Sequence, residues 1–447
     1  MKRIIGCILK GIGVLLLAGV VLTLAFRFLY GRDLLDSPND MDKFDEVQLS
    51  WEDAMADGAL THEEIAIHYA PVIDQAVNVL LGAGGRGDFI TAVDYDGDWS
   101  CLNNWENLVS GDLRAVVYYS VQETDTHYFA GYYFYHPRDD AEIWLDRHEN
   151  DMEGVMLAIP KQDGAFAAPE YMYTQGHGNV FFYTASAPES VNMLEGSRHG
   201  GQLLLTGGRP HVYITPNGTL KNCGHSVESA AEHSTYWSVG ESGVRYVYGG
   251  EAKKPLFWNG AFDRNPCAYA LRPLTELWEY HNGPYDGSGV FGSYGAFDGD
   301  NWGEDRANPP WAWRNKTRYG YGGSFLTDPA WTINHAVSGA ALSAEYVSNP
   351  WAEWTIRDVH AVIPAMIDAS QVTLHLMRDG WELSDPSWFT LEQESAGVYR
   401  VLMGNQRQDT LWLAAPKGTS WRFEVRDAGG KVLTLCAVGF DAEYAAP

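Results

Sequence analysis

LRAVVYYSVQ (Leu113–Gln122), HYFAGYYFYH (His127–His136) and GVMLAI (Gly154–Ile159) set the fold class of this chain. Each run is rich in β-branched and aromatic residues and is bounded by Gly, Pro, Asp or Asn, the pattern of strands closed by turns. QLLLTG (Gln202–Gly207), HVYITP (His211–Pro216) and VRYVYG (Val244–Gly249) repeat it. Their spacing fits an antiparallel sandwich better than alternating βα units. Upstream, Thr61-His62-Glu63-Glu64 has the spacing of a capping box that opens a short helix, stopped by Pro71. After Trp351, VTLHLMRDG, VYRVLM, DTLWLAA and SWRFEVRDAGGKVLTLCAV read as a smaller β unit, with Gly429-Gly430 as a hairpin turn.

The expected fold class is therefore mainly β: an antiparallel β-sandwich core over 61–345 with long Gly/aromatic loops, and a small C-terminal β domain over 346–447. Residues 32–60 form a tether and 1–31 a transmembrane anchor. Gly11 to Phe26 is free of charge. Lys10 and Arg27 extend it by snorkelling to roughly the 20 residues a bilayer span requires. Lys2, Arg3 and Lys10 orient the amino terminus to the cytoplasm, which puts the body outside, at the cell membrane. No A-x-A-like site follows the apolar run, so an uncleaved anchor is expected rather than a cleaved signal peptide.

Hydrophobic residues make up 45% of the 447 and charged residues 20%, enough for a substantial core. The net charge of −27 weighs against nucleic acid or anionic lipid headgroups as partners, since phosphate binding needs clustered Lys and Arg. Cys101, Cys223, Cys267 and Cys436 show no CxxC pairing. One or two disulfides and buried free thiols are both open.

The chemistry gathers in Tyr135-His136-Pro137-Arg138-Asp139 and in His148-Glu149-Asn150-Asp151-Met152-Glu153-Gly154. Asp151 and Glu153, two apart at the start of an apolar strand, project from one face. His148 precedes them and Asp139 ends the strand before. Three carboxylates and an imidazole converging on a point repel one another unless a cation neutralises them. Mostly oxygen ligands favour magnesium, calcium or manganese. A solvated acidic turn is the plainer alternative.

H-x-x-D-x-E after Y-x-P-[K/R]-D resembles the metal-binding stretch of the necrosis- and ethylene-inducing peptide-like proteins, whose signature is GHRHDWE after a Y-F-P-K-D strand end. The resemblance implies a β-sandwich and a metal site that engages sphingolipid sugar headgroups, with Asp139, His148, Asp151 and Glu153 as ligands. Arg147, Asn150 and Met152 depart from the signature, and the spacer is one residue longer. More widely, Ala66 to Ala330 resembles the vacuolar protein sorting-associated protein 62 family. HYAPV (His68–Val72), DFITAVDYDGDW and NNWENL (Asp88–Leu108), FYHPRD, HENDMEG, GRPHVY (Gly208–Tyr213), PPWAW (Pro309–Trp313) and LTDPA (Leu326–Ala330) carry it. Where those relatives have Gly-His-Gly, this chain has Asn217-Gly218-Thr219, which leaves two readings: nearby His225 substitutes for that histidine, or the position is lost.

Around the expected cavity, Glu149, His177 and His225 are further candidates. Asp94, Asp96 and Asp98 form a second acidic loop without EF-hand spacing. Gly82 to Gly87 matches GxGxxG only formally, because no amphipathic helix follows; it is a turn. Trp302, Trp311 and Trp313 suit either sugar stacking or packing. Three functions are consistent with these residues: metal-dependent binding of a glycan or glycolipid headgroup, metal-assisted hydrolysis of an envelope polymer with Glu149 or His177 as base, and a structural envelope protein stapled by its metal. No sequence signature settles whether the chain is an enzyme.

Overall fold

The computed structural model describes residues 17, 19, 45–97, 102–143, 147–176, 179–185, 198–218, 224–231, 243–255, 262, 266–279, 308–313, 323–383, 389–403, 409–415 and 417–444. All of the anchor but residues 17 and 19, residues 32–44 of the tether, His177, Asp98, Trp302 and the cysteines 7, 101 and 223 lie outside these residues. Among those described, no helix is long and apolar enough to cross a membrane.

Among the described residues thirteen strands form the main sheet: β1 Val72–Ala76, β2 Val116–Thr124, β3 His127–Asp139, β4 His148–Pro160, β5 Tyr171–Gly176, β6 Asn179–Thr184, β7 Arg198–Gln202, β8 Leu205–Thr206, β9 Arg209–Ile214, β10 Val227–Ser229, β11 Gly243–Tyr248, β12 Pro266–Pro273 and β13 Tyr346–Ser348. The path runs β10-β9-β1-β11-β12-β2-β3-β4-β5-β6-β7, with β13 added on β2 and β8 on β9.

The chain is mainly β, as its strand runs imply, but the antiparallel sandwich is corrected to one curled, mixed sheet. β2 to β6 form the expected antiparallel meander. The pairs β1–β9, β11–β12, β12–β2 and β6–β7 are parallel. Parallel neighbours need long crossovers, and local strand patterns carry no record of which distant run will pair. The ends of the path meet: Ser229 Oγ on β10 donates to the carbonyl of Gln202, the last residue of β7, at 2.6 Å.

The tyrosine richness has a structural use. Tyr132, Tyr173 and Tyr269 are fully buried, and each hydroxyl reaches a carbonyl outside the sheet: Ala66 in the helix His62–His68 at 2.9 Å, Phe325 in the short helix Ser324–Thr327 at 2.9 Å, and Pro71 at 2.8 Å. Burying a phenol requires such a partner, so each one fastens a covering segment to the sheet. The capping box forms as the sequence predicts. Glu64 N donates to Thr61 Oγ1 at 3.2 Å and Thr61 N to Glu64 Oε2 at 2.8 Å, opening the helix His62–His68.

The remaining strands are β14 Trp354–Val362, β15 Val372–Arg378, β16 Trp381–Glu382, β17 Phe389–Ser395, β18 Val398–Met403, β19 Thr410–Leu413, β20 Trp421–Asp427 and β21 Ala437–Tyr444. They make two small sheets around Ile356, Leu374, Leu376, Met403 and Leu411, and Trp331 from the helix Pro329–Ala336 packs in the same core. The turn at Gly429-Gly430 forms, with Gly430 N donating to the Asp427 carbonyl at 2.8 Å. The hairpin does not continue. After one bridge, Arg426 to Val432, the chain leaves β20 and β21 pairs with β14, where Val438 and Phe440 join the core. Cys267 and Cys436 are free thiols.

Candidate functional site

β3 and β4 hold the site in register, with His136 opposite Asp151, Arg138 opposite Glu149 and Asp139 opposite His148. Between these pairs lie Pro137, which has no amide for the ladder, and Asn150, which takes φ 60°. The left-handed residue interrupts the strand's alternation. Two bonds hold its side chain: Asn150 Oδ1 accepts from Tyr135 Oη at 2.7 Å and from Asn104 Nδ2 at 3.0 Å. Asn150, where the resembled signature has a second His, is thus a buried bracket.

Under this corner sits a glycine turn. Gly82, Gly84 and Gly85 all have positive φ, and a Cβ on Gly82 or Gly87 would meet Asn217 Nδ2 at 2.9 or 2.8 Å. Only glycine lets the two segments approach so closely. The turn delivers Asp88, which is completely buried. Its Oδ2 accepts from Asn78 N at 2.7 Å, and its Oδ1 from Asn217 N at 2.6 Å and His225 Nε2 at 3.2 Å. The other nitrogen of His225, Nδ1, donates to Asp151 Oδ2 at 2.8 Å. His225 therefore bridges two carboxylates, with neither nitrogen spare. His136 stacks flat on it, ring centroids 3.8 Å apart, and shares a hydrogen bond of 3.0 Å with Gln75 Oε1 through Nε2.

Charge follows from these contacts. Burial alone lowers the His225 pKa, but the bonds to Asp151 and Asp88 and the nearby charges of Asp151 and Asp139 push it up to about 10. The ring is a cation at neutral pH. Burial, and then the charge on His225, hold His136 well below the usual imidazole range, so this ring is neutral. Burial pushes the Asp139 carboxyl up to about 7; His148 and His225 pull it back, while Asp151 and Asp88 raise it further. Asp139 thus faces the same cluster as Asp151 and His225. Its Oδ1 is buried with no hydrogen-bond partner among the described residues. Its Oδ2 lies 3.7 Å from His148 Nε2. His148 Nδ1 donates toward the carbonyls of Asn150 at 3.1 Å and Glu149 at 3.3 Å, which leaves Nε2 as the ring nitrogen on the Asp139 side.

The four expected ligands are all placed on this strand pair. Asp139 and His148 face each other across the pair at 3.7 Å, and Glu153 is buried further along β4, opposite Phe134. Asp151 is turned onto His225. Among the described residues no three His, Cys, Asp or Glu side chains are gathered closely enough to hold an ion as they stand. The donor set suits a hard divalent ion, and the unpartnered Asp139 oxygen is the buried acceptor that such an ion would satisfy. Glu149 is buried and accepts from Trp105 N at 3.1 Å. Asp94 pairs with Arg272 at 2.7 Å and Asp96 Oδ2 accepts from Asn107 at 2.8 Å, so these two point to separate partners. Trp311 and Trp313 are buried in edge contacts with Trp278 and Phe325, which makes packing their role.

Three members escaped the sequence: Asp88, His136 and Asn217. Asp88 stands directly after the glycine turn, a signal of close backbone approach. His136 and Asn217 stood within quoted motifs, but neither motif gives them this role, since each is recruited across the sheet.

A dependence on pH follows. The raised pKa of His225 contributes stability that is complete below 6.5, its value in the unfolded chain, and lost as pH rises through about 10. The raised pKa of Asp139 has the same sign, its contribution complete below 3.8 and lost as pH rises through about 7. The thermal midpoint of metal-free protein should fall steadily from pH 6.5 to 10. A midpoint that held level or climbed across that range would contradict a cationic His225.

No family model matches the chain, and no curated protein does. Among solved structures it is similar to the non-toxic HaNLP3 protein, with 14% identity, 55% of this chain and 87% of that one covered, and a TM-score of 0.27. It is also similar to a protein described as a toxin fold for microbial attack and plant defense, at 12% identity over 51% and 84% of the two chains, TM-score 0.27. NLPPya in complex with mannosamine is a third, at 12% identity over 39% and 74%, TM-score 0.24. These are necrosis- and ethylene-inducing toxin-fold proteins, the family whose metal motif the Asp139–Glu153 stretch resembles. TM-scores this low establish no shared fold. The wider resemblance to the vacuolar protein sorting-associated protein 62 family rests on its short motifs alone.

Proposed function

We propose that the chain is a divalent-cation-dependent recognition protein for a glycan or glycolipid headgroup, anchored in a membrane by Gly11–Phe26 with its body outside the cytoplasm. The observation that carries this reading is Asp139: a buried carboxyl with one oxygen lacking a hydrogen-bond partner among the described residues and the other 3.7 Å from His148 Nε2. An isolated buried carboxylate is costly, and a cation is the natural complement. Asp139, His148, Asp151 and Glu153 would hold the ion. A bound divalent ion supplies open positions for a pair of sugar hydroxyls. Asn150 and Tyr135 keep the strand corner rigid beneath these ligands, and His225 holds Asp151 in line from below. The acidic surface adds long-range attraction for the cation.

The test is a glycan array probed with the detergent-solubilised full chain, with calcium, magnesium or manganese and then with chelator. Binding that vanishes on chelation and returns with the ion is expected. Signals indifferent to chelator would overturn the reading.

A further inference from the structure

Away from the acid cluster, Arg209 opens β9 and is only 1% exposed. Tyr132, Tyr248 and Tyr269 lie within reach of its charge. Its counter-charge comes from a surface segment, Glu46–Ser50. Glu46 Oε1 accepts from Arg209 Nη1 at 2.6 Å, and the Val47 carbonyl accepts from Nη2. Three further bonds seat the segment. Val47 N donates to the Tyr248 carbonyl at 3.0 Å, Gln48 Nε2 donates to the Gly207 carbonyl at 3.0 Å, and the Leu49 carbonyl accepts from His68 Nδ1 at 2.8 Å. Glu46 is about half exposed, whereas the guanidinium beneath it is sealed. Arg209 Nε is buried with no acceptor among the described residues.

A buried guanidinium is tolerable only with a carboxylate on it, and here that carboxylate arrives on a strap held by main-chain bonds at the surface. The leftover Nε–H gives the groove capacity for a second acceptor, as a side-on carboxylate would supply. Main-chain pairing beside an acid-reading cation is how an extended peptide is recognised. We propose that the groove formed by Arg209, Tyr248, Gly207 and His68 is a docking site for an extended acidic peptide, which Glu46–Ser50 fills in cis. The cis strap acts at an effective concentration in the millimolar range, so the intact chain masks the site.

The probe is a fluorescent peptide spanning Asp45–Asp53, followed by anisotropy with the full chain in detergent. It should bind a Glu46→Ala/Val47→Pro chain at least tenfold more tightly than the wild-type chain. Replacing glutamate by glutamine at the Glu46 position of the peptide should weaken binding at least tenfold, as should adding Arg209→Lys to the vacated chain. Equal binding to masked and vacated chains, or binding indifferent to the peptide's acid, would overturn the proposal, as would no binding to the vacated chain. The peptide variants act on an unchanged protein, so the result stands even if the arginine variant does not fold.

Discussion

Asp88→Ala should cost about 3–5 kcal/mol of stability, the largest loss from any single change in the acid cluster. The side chain is wholly buried and accepts three hydrogen bonds, from the amides of Asn78 and Asn217 and from His225. Alanine leaves two buried amides unpaired and strips a buried cation of one of its two carboxylates. Asp151→Ala, which removes only the other partner of His225, should cost less. Thermal unfolding of the two variants at pH 7 checks the order. A loss under about 1 kcal/mol for Asp88→Ala would mean that His225 is not the buried cation the geometry implies.

Asp139→Asn should act with opposite signs in the absence and presence of metal. Without a divalent ion, the ionised carboxyl is a buried, half-partnered charge, and the neutral amide should stabilise the protein above pH 7 by on the order of 1–2 kcal/mol. With an ion at about a hundred times its dissociation constant, the wild-type chain should gain roughly 2.7 kcal/mol, and the variant should lose that gain. Calorimetric titration should show affinity for the ion falling at least about a hundredfold, beyond the usual effect of a supporting residue. A variant that bound calcium, magnesium and manganese as well as the wild-type chain would remove the cation from the proposed function. The metal-free stabilisation would still stand, because it depends on the burial of Asp139 alone.

These two residues show how legible the site was. Asp139, His148, Asp151 and Glu153 were visible in the sequence because their spacing is local: two strand ends joined by one turn. Their chemistry was partly misjudged. Asp151 faces a histidine that lies 74 residues on in the chain, and His225 supplies positive charge within the protein itself. Asp88, recruited from a glycine turn, belongs to the cluster for a reason no motif expresses. Its carboxylate closes three donors that come from separate segments.

The central strands β2, β3 and β4, the capping box at Thr61 and the glycine turn before Asp88 were determined by the sequence alone. Side-chain alternation, side-chain-to-amide reach and the freedom of glycine all act within a few residues. The order of the curled sheet, the departure of β21 from its hairpin, the buried His225 bridge and the strap over Arg209 were decided only in three dimensions. Each depends on which distant surfaces must share a buried charge or complete a core, and burial is a property of the assembled fold rather than of any short stretch.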